Sequence, residues 1–504
     1  MTPRRGKERL ISDRGETLIV DPDPIASGTM KDVYASEGGT AVVAMFRDPL
    51  SPTGTERLHA LIDVHRPRIL EGEGGDDLTH LYRWPRDTLT WNGRTGLVVP
   101  KFAPNFFFEH GAVNNDMLGI RGKEKQGKWF ASTHHRTSFL DPRERGTWVD
   151  YLRICIRLAR AVRRLHAAGL AHSDLSYKNV LVDPLTGAAC IIDIDGLVVP
   201  GKFPPDVVGT PDFIAPEVVR THHLAATDPT RAMPSIRTDR HALAVLIYMY
   251  LMGRHPLQGR KIHDADDTAR DDMLAMGQGA LWVEDPDDLT NRIDTAQVRK
   301  TALPWADAAR LPHTICGPSL AGLFHGAFVD GLHDPERRPT AENWETALVR
   351  TADMLLPCKG AGCDMGMFVF DNTTRPRCPL CGTAYPSAAP ILNLYSSRPG
   401  SGFRPDNHRV TVYDGLSLYA WHANRFLFPN ERLAAPLRQR VGYVQFHDGH
   451  WHLVNTALPD MAEADTGRIV AIGARTALTD GRQILLSRQD GGRLIHIQIA
   501  NAPA

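Results

Sequence analysis

The stretch that decides the fold is "LAHSDLSYKNVLVDPLTGAACIIDIDGLVV", residues 170–199. Its two apolar runs, "NVLV" and "AACII", are typical of short strands, and Pro184–Gly187 supply the turn between them. Pairing of these strands would bring Asp193, at the end of the second, beside Asn179, at the start of the first. Asp174 lies five residues before Asn179. The segment therefore predicts a hairpin with a set of polar side chains near one end.

These polar side chains are the set that phosphoryl transfer requires. One carboxylate must accept the proton of the attacking hydroxyl, while a carboxylate and an amide oxygen must hold Mg²⁺ against the phosphates of a nucleotide. A D-x-x-x-x-N spacing alone is a weak signal, because polar loops between buried strands are common. Here it follows a predicted long amphipathic helix, which makes the signal more specific. The apolar face of that helix contains Trp148, Leu152, Cys155, Ala159 and Val162.

This order of elements resembles the catalytic loop and metal-binding segment of protein kinases. Downstream, "GTPDFIAPE" (209–217) is similar to the end of a kinase activation segment, and "TDRHALAVLIYMYLMGRHPLQG" (238–259) is similar to the buried helix that follows it, with Asp239 near its start. The later "DPERRPTAENW" is similar to a pattern whose arginine, here Arg338, pairs with a glutamate, here Glu217. The resemblance spans roughly residues 17–350.

The resemblance implies an α+β fold, the bilobal protein-kinase fold, with a small β-rich N-lobe at 15–102 and a helical C-lobe at 103–352. It also implies an ATP-dependent protein kinase that transfers the γ-phosphoryl group of Mg·ATP to Ser/Thr hydroxyls of a protein substrate. A second hypothesis is a small-molecule phosphotransferase, whose H-x-D loop and D-x-D-like strand fit "HSDL" and "IDID" but which lacks the segment matched by "GTPDFIAPE". A third is a pseudokinase, a nucleotide-binding scaffold without turnover.

The resemblance also assigns roles to single residues. Asp174 matches the catalytic aspartate that orients the substrate hydroxyl, and Asn179 and Asp193 match the Mg²⁺ ligands. Lys178 could neutralise the transferred phosphoryl group, and its alternative interpretation is a solvated surface lysine. The backbone of the adenine-binding hinge is expected near Pro100, Lys101 and Phe102.

Two departures from the kinase pattern lie in the same region. The motif His172-Ser173-Asp174 lacks the arginine that binds a phosphorylated activation loop in kinases, which argues against activation by loop phosphorylation. The motif Asp193-Ile194-Asp195 lacks the usual glycine at its third position, although Gly196 follows. Asp195 is therefore either a further metal ligand or a polar residue in a turn, and we favour the turn.

The phosphate-binding lysine is missing from its usual strand. Protein kinases carry this lysine on the third strand, where "TAVVAMFRDP" has none, but "GTMKDVY" resembles the corresponding segment of the WNK (with-no-lysine) kinases. Lys31 is then the expected cation, with Arg47 as its rival and no functional lysine as the third alternative. Glu56 is our choice for the helix carboxylate that orients Lys31, and Asp63 is nearly as good. The expected glycine loop that covers the nucleotide contains Ser27, Gly28 and Thr29.

Four of the seven cysteines form a cluster with the spacing C-x4-C, fourteen residues, C-x2-C. This spacing predicts two knuckles that close a tetrahedral structural Zn²⁺ site in a zinc ribbon at 355–386, because so short a segment cannot build much core without metal. The alternative interpretation of "CPLC" as a redox motif lacks a βαβ context. The expected ligands are Cys358, Cys363, Cys378 and Cys381.

The combination of kinase and zinc ribbon resembles bacterial kinases associated with tellurium-resistance gene clusters. That resemblance implies partnership with a metal-dependent protein phosphatase and a von Willebrand factor A-type domain protein. The Pro/Ser/Gly-rich segment 387–408 is typical of a linker. The region 409–504 alternates like short strands and is similar to a divergent forkhead-associated β-sandwich without the Ser-Arg-x-x-His signature, so we expect a protein-interaction module.

Composition excludes several other classes. The 504 residues include 58 Lys+Arg and 58 Asp+Glu, so the formal net charge is zero. The chain therefore has no overall excess of basic residues of the kind that binds nucleic acid. The most apolar run, 242–253, is too short to span a bilayer. The charged start lacks the apolar segment of a signal peptide. We therefore expect a soluble cytoplasmic protein without a membrane or nucleic-acid partner.

Overall fold

The computed structural model divides the chain into two compact units. The described residues are 6–72, 74–199, 202–203, 209–225, 227–373 and 375–500. The first unit contains the described parts of Met1–Arg145, Arg153–Ala306 and His325–Glu342. The second contains those of Gly146–Leu152, Asp307–Phe324 and Asn343–Ala504.

The strands of the first unit form a hairpin, a five-stranded antiparallel sheet and a second hairpin. The first hairpin pairs β1 (Glu8–Ile11) with β2 (Thr17–Val20). The sheet has the order β3-β4-β5-β7-β6 and consists of β3 (Ala26–Ser27), β4 (Lys31–Ala35), β5 (Ala41–Phe46), β6 (Asp87–Trp91) and β7 (Arg94–Pro100). The last hairpin pairs β8 (Val180–Asp183) with β9 (Ala188–Ile191), as the sequence predicted.

The twelve α-helices of the described residues are numbered along the chain. They are α1 (Pro52–Ala60), α2 (Arg66–Leu70), α3 (Gly75–Leu78), α4 (Val113–Asp116), α5 (Thr133–Phe139), α6 (Trp148–Ala167), α7 (Pro216–Thr221), α8 (Ile236–Met252), α9 (Thr268–Met276), α10 (Pro318–His325), α11 (Ala341–Ala352) and α12 (Ala420–Ala423). Among the described residues, no helix combines the length and apolar content needed to cross a membrane.

The central strand β5 explains why the sheet is buried on both faces. Successive side chains of a strand point to opposite faces. Val43 and Met45 pack in one apolar cluster, whereas Ala44 and Phe46 pack in another on the opposite face. The second cluster contains Leu58 of α1, so one face of the sheet is covered by the helix that follows β5. Leu58, Leu61 and Ile62 lie on one face of that helical segment, and all three are buried.

Turn and cap residues set two further elements. Asn92 and Gly93 both have positive φ, 52° and 72°, which is the conformation a two-residue hairpin turn between β6 and β7 requires. The Ser235 backbone N–H donates to the Thr238 hydroxyl over 2.8 Å at the start of α8. Gly253, with φ of 65°, ends that helix in the left-handed conformation. The buried α8 is confirmed, because 14 of its residues are buried.

The segment 103–146 is held by a buried polar network. It contains two short α-helices, α4 and α5, and three 3-10 turns. The Lys125 ammonium lies 3.0 Å from carboxylate oxygens of both Glu144 and Asp183, and all three side chains are nearly inaccessible. A buried cation is stable only when paired in this way. The order of this segment therefore depends on contacts with β8 rather than on a local periodic pattern.

The second unit contains a short hairpin and two larger sheets. The hairpin pairs β10 (Leu355–Pro357) with β11 (Met367–Val369). One sheet has the order β13-β12-β20-β19-β17, and the other has the order β14-β15-β16-β18. Their strands are β12 (Ala389–Arg398), β13 (Gly402–Thr411), β14 (Ser417–Tyr419), β15 (Arg440–His447), β16 (His450–Asn455), β17 (Ala462–Glu463), β18 (Arg475–Ala477), β19 (Gln483–Leu485) and β20 (Arg493–Ala500).

These two sheets share one hydrophobic core, which is the arrangement of a β-sandwich. The core takes Leu392 and Leu394 from β12 and Val444 and Leu453 from the other sheet. The predicted linker at 387–408 is therefore wrong, because β12 and β13 form a hairpin within the first sheet. The Pro, Ser and Gly residues that suggested a linker lie around its turn at 399–401, and buried Ser396 donates to Asp406 over 2.6 Å.

Candidate active site

The loop between α6 and β8 presents Asp174 with both carboxylate oxygens held. Its Oδ1 accepts hydrogen bonds from the backbone N–H of Thr210, at 2.7 Å, and from the Thr210 hydroxyl, at 2.9 Å. Its Oδ2 accepts from the amide nitrogen of Asn179 at 2.9 Å. These donors fix the orientation of the carboxylate, which is what a proton acceptor in a phosphoryl transferase needs. The sequence pattern did not identify Thr210 as one of them.

The backbone of this loop is anchored to α8 through Asp239. The two oxygens of that buried carboxylate accept from the N–H groups of His172, at 2.7 Å, and Ser173, at 3.1 Å. Ser173 has φ of 66°, an uncommon conformation for a residue other than glycine, so the loop needs such an anchor. The His172 ring nitrogen Nε2 donates to the carbonyl of Ile192 at 3.0 Å, which ties the loop to the end of β9.

The pairing of β8 with β9 places Asn179 and Asp193 at the same end of the hairpin. Val180 pairs with Ile191, and the N–H of Ile192 donates to the Asn179 carbonyl at 3.0 Å. The amide nitrogen of Asn179 donates to Asp174. The side-chain oxygen of Asn179 accepts no hydrogen bond from a described residue. Asp193 and Asn179 thus offer a carboxylate and an amide oxygen, the donor types that Mg²⁺ prefers, and this donor set fits the ion.

Lys31 is the cation that reaches this site. It begins β4, and its ammonium lies 2.9 Å from Oδ1 of Asp193 and 2.7 and 2.6 Å from the two oxygens of Asp195. Burial works against the charge of Lys31, but the carboxylates of Asp195 and Asp193 outweigh it and raise the pKa of the ammonium above its usual value. For Asp193, burial opposes ionisation, and the ammonium of Lys31 nevertheless lowers the pKa of the carboxyl.

The other sequence-predicted candidates for the cation and its partner lie elsewhere. The guanidinium of Arg47 donates to Asp32 at 2.8 and 3.0 Å and makes no contact with Asp193. Glu56, predicted to orient Lys31, is largely exposed and lies 3.3 Å from Lys202. The alternative Asp63 pairs with Arg14 at 2.5 Å and with His59 at 3.7 Å. The expected pairing of Lys31 with a helix carboxylate is therefore wrong in this structure.

Asp195 is the partner that the sequence reasoning missed. The only signal in the sequence was the second aspartate of "DID". The 3-10 turn Ile194–Gly196 brings its side chain to Lys31. The interpretation of Asp195 as a polar turn residue gave the correct location but no partner for its carboxylate.

The predicted glycine loop is a tight turn between β3 and β4. Ser27 pairs with Asp32 across the two strands, and the N–H of Gly28 donates to the Lys31 carbonyl at 2.8 Å. The hydroxyl of Ser27 donates to the Asp32 carboxylate at 2.9 Å. Gly28 and Thr29 are exposed. Lys31 is the one cation among residues 26–35, so its side chain carries the positive charge that β3, this turn and β4 bring to the site.

The predicted hinge follows β7. Pro100 ends this strand, and the N–H of Lys101 already donates to the Thr40 carbonyl at 3.0 Å, so it is not free to bind a base. Phe102 packs in an apolar cluster with Leu181 of β8 and with Phe106. This cluster forms an apolar surface beside the end of β7.

Lys178 is exposed, and its ammonium forms no ion pair with the described residues.

The predicted pairing of Arg338 with Glu217 is confirmed. Their side chains form two parallel hydrogen bonds of 2.8 and 2.7 Å. The ion pair joins the start of α7 to the turn before α11.

The four cysteine thiols converge in the second unit. Cys358 and Cys363 lie in the loop of the β10–β11 hairpin, and Cys378 and Cys381 lie in a second turn closed by the pairing of Arg377 with Ala384. All four Sγ atoms lie within 4.8 Å of one another, with two pairs at 3.5 and 3.7 Å. A zinc ion with Zn–S bonds of about 2.3 Å sets tetrahedral edges of about 3.8 Å, so this donor set fits zinc.

Comparison with known proteins assigns the region around Asp174. Residues 134–343 match a family model described as the protein kinase domain. This segment is therefore similar to protein kinase domains. The match begins after the five-stranded sheet, so the position of Lys31 rests on the geometry above. The match also supports the predicted bilobal kinase fold of mixed α and β structure.

Curated proteins that are similar to parts of this chain carry kinase names. The Death-associated protein kinase dapk-1 of Caenorhabditis elegans is 34% identical over 102 residues, which are 20% of this chain and 6% of that protein. The Serine/threonine-protein kinase PknD of Chlamydia abortus is 29% identical over 140 residues, which are 22% of this chain and 14% of that protein. The chain thus spans only a small part of each of these relatives.

A solved structure also aligns with the chain. The Toxoplasma gondii specific rhoptry antigen kinase domain covers 69% of this chain and 86% of its own, with 14% sequence identity and a TM-score of 0.38.

Proposed function

We propose that the chain is an ATP-dependent serine/threonine protein kinase of the eukaryotic-like bacterial type, with its phosphate-binding lysine on the second strand of the sheet. The observation that carries the proposal is the contact of the Lys31 ammonium with Asp193 at 2.9 Å. This contact comes from β4, whereas the neighbouring Arg47 is engaged with Asp32. A four-carbon side chain on the neighbouring strand can therefore replace the missing third-strand lysine, the placement expected from the resemblance to WNK kinases.

Asp174 acts as the acceptor of the substrate hydroxyl proton. Its carboxylate is oriented by Thr210 and Asn179, and the loop that carries it is fixed by Asp239. A general base must lie within hydrogen-bond reach of the hydroxyl in a fixed orientation, and these contacts supply that orientation. Lys178, exposed beside Asn179, is free to approach a phosphoryl group.

Asp193 and the side-chain oxygen of Asn179 would hold Mg²⁺, and Lys31 would contact the phosphates of ATP. When bound, the ion neutralises charge on the phosphates during transfer. The turn after β3, with Ser27, Gly28 and Thr29, and the segment after β7, with Phe102, would lie beside the nucleotide. The protein substrate and the preference for Ser or Thr are supported by the kinase domain and by the name of the relative from Chlamydia abortus.

In the second unit, Cys358, Cys363, Cys378 and Cys381 would hold one structural zinc ion. Four thiolates leave no open coordination position, so the ion would stabilise the two turns and take no part in phosphoryl transfer. The β-sandwich is proposed as a protein-interaction module. A metal-dependent protein phosphatase and a von Willebrand factor A-type domain protein stay predicted partners from the resemblance to tellurium-resistance kinases.

The experiment that tests the kinase proposal uses the purified full chain. It is incubated with radiolabelled ATP, Mg²⁺ and a generic protein substrate, and the labelled amino acid is identified after acid hydrolysis. We expect phosphoserine or phosphothreonine, and we expect Asp174→Asn to abolish transfer while ATP affinity stays within a few-fold. Transfer by the wild type that does not exceed that of folded Asp174→Asn would contradict the proposal.

A further inference from the structure

Asp193 and Asp195 contact the same ammonium in different ways. Asp195 places both carboxylate oxygens on Lys31, at 2.7 and 2.6 Å, and its side chain is only 12% exposed. Asp193 contacts the ammonium through one oxygen, at 2.9 Å, and its side chain is 48% exposed. One carboxylate is therefore enclosed with Lys31, while the other keeps an open side.

The backbone between these residues fixes this difference. Ile194 is 1% exposed and anchors the turn in the apolar interior. Asp193 has φ of 61° and ψ of 40°, a left-handed conformation, and the N–H of Gly196 donates to its carbonyl at 3.3 Å. With Ile194 inside, its two neighbours both face Lys31. The pattern Asp-Ile-Asp thus sets one buried residue between two carboxylates that converge on one cation.

The charges in this cluster do not balance. One ammonium faces two carboxylates, so the cluster retains a negative charge that a second cation can neutralise. The helix carboxylates that could compete for Lys31 are engaged elsewhere, Glu56 with Lys202 and Asp63 with Arg14. Among the described residues, Lys31 therefore has no acidic partner other than Asp193 and Asp195.

We propose that Asp195 is the positioning residue that holds Lys31 toward the nucleotide phosphates, and that Asp193 is the carboxylate released to the metal ion. This inference rests on the proposed kinase function. Under this proposal Lys31 is oriented by Asp195 of the metal-binding segment and not by Glu56, the helix residue predicted from the sequence. Asp195 would keep the Lys31 ammonium in place, and Asp193, through its open side, would hold Mg²⁺.

The test is the affinity of the full chain for a fluorescent ADP analogue, measured with Mg²⁺ and again with EDTA. Lys31→Met should weaken binding about tenfold under both conditions, because one charge-assisted contact to phosphate is lost. Asp195→Asn should weaken binding to a similar degree under both conditions, and Asp195→Glu should recover most of the loss. Asp193→Asn should remove the gain in affinity that Mg²⁺ gives and leave binding in EDTA unchanged.

The double variant Lys31→Met with Asp195→Asn separates a shared role from two independent ones. If Asp195 acts through Lys31, this variant binds no more weakly than Lys31→Met alone. The matched control is Asp141→Asn, which removes an aspartate of similar exposure, 17%, that pairs with Arg143 in the segment 103–146. Its nucleotide affinity should equal that of the wild type.

Several outcomes would overturn the inference. Additive losses in the double variant would mean that Asp195 does not act through Lys31. Loss of the Mg²⁺ effect in Asp195→Asn would make Asp195 the metal ligand instead, and loss of affinity in Glu56→Gln would return the orienting role to the helix. Wild-type binding by Lys31→Met would instead contradict the proposed role of Lys31 itself, so the two failures are distinguishable.

Discussion

Arg338 and Glu217 lie 121 residues apart in sequence and form a bidentate ion pair with bonds of 2.8 and 2.7 Å. The Arg338 side chain is 1% exposed, and it also donates to the carbonyls of Gly331 and Leu332. A sequence pattern at each end was enough to predict this contact. Its burial makes it a stability determinant of the first unit rather than a surface contact.

Replacing Arg338 by Met should destabilise the first unit strongly. The change leaves the Glu217 carboxylate without its main partner, and breaking a buried ion pair costs about 3–5 kcal/mol of unfolding free energy. Arg337→Met is the matched control, because that guanidinium pairs with Asp330 and is 59% exposed. Its effect should be below about 1 kcal/mol. Urea unfolding of both variants measures the difference, and equal losses would contradict the assignment.

Replacing Lys31 by Met should lower kcat/KM for ATP by about 10- to 150-fold, since a charge-assisted contact to phosphate contributes about 1.5–3 kcal/mol. Arg47→Met removes a cation of the same sheet whose guanidinium is bound to Asp32, and it should leave transfer unchanged. The measurement is the steady-state rate at sub-saturating ATP. An inactive Arg47→Met together with an active Lys31→Met would reverse the assignment of the cation.

The cysteine cluster should bind about one zinc per chain in purified protein. Cys378→Ser should lower both the zinc content and the unfolding temperature of the second unit, because metal binding supplies folding free energy there. Intrinsic kinase activity should be retained. The control Cys190→Ser removes a buried thiol of the first unit and should leave the zinc content intact. Elemental analysis decides, and metal-free wild-type protein after gentle purification would end the zinc proposal.

Asp353 should make the second unit sensitive to acid. Burial opposes its ionisation, but His422 and His408, which contact its carboxylate at 3.2 and 2.7 Å, lower the pKa well below the usual range. A carboxyl whose pKa is depressed in the folded state binds fewer protons there than in the unfolded chain. Its contribution is therefore present above about pH 4, the unfolded value, and is lost as the pH falls further.

The measurement is the urea midpoint of the second unit between pH 7 and pH 3. The wild type should lose more stability over this interval than Asp353→Asn, which lacks the titrating group. Asp371→Asn removes an exposed aspartate of the same unit and should follow the wild-type curve. Parallel curves for the wild type and Asp353→Asn would show that Asp353 does not cause the acid sensitivity.

Local signals in the sequence predicted the elements that local chemistry determines. The buried α8 and the β8–β9 hairpin follow from apolar runs and turn residues. The location of Asp174, Asn179 and Asp193 followed from the hairpin register. Each of these features is set by residues close together in the chain or by a recognisable motif.

The features that were not predicted from the sequence depend on contacts between residues far apart in the chain. Lys31 and Asp195 are 164 residues apart, and no periodic pattern connects them, so a helix carboxylate was the wrong expectation. The network of Lys125 with Glu144 and Asp183 orders an irregular segment through buried charges. The linker prediction failed because polar and Gly/Pro residues at a hairpin turn hid the alternation of Leu392 and Leu394.

The tight turn between β3 and β4 has a consequence for the order of events in turnover. With only Thr29 and Met30 between Gly28 and Lys31, the tip of this hairpin has no extra chain that could form a separate lid. In the proposed kinase, spent ADP then leaves without waiting for a flap to open, and we expect phosphoryl transfer rather than product release to limit the rate. A pre-steady-state burst of one product equivalent would contradict this expectation.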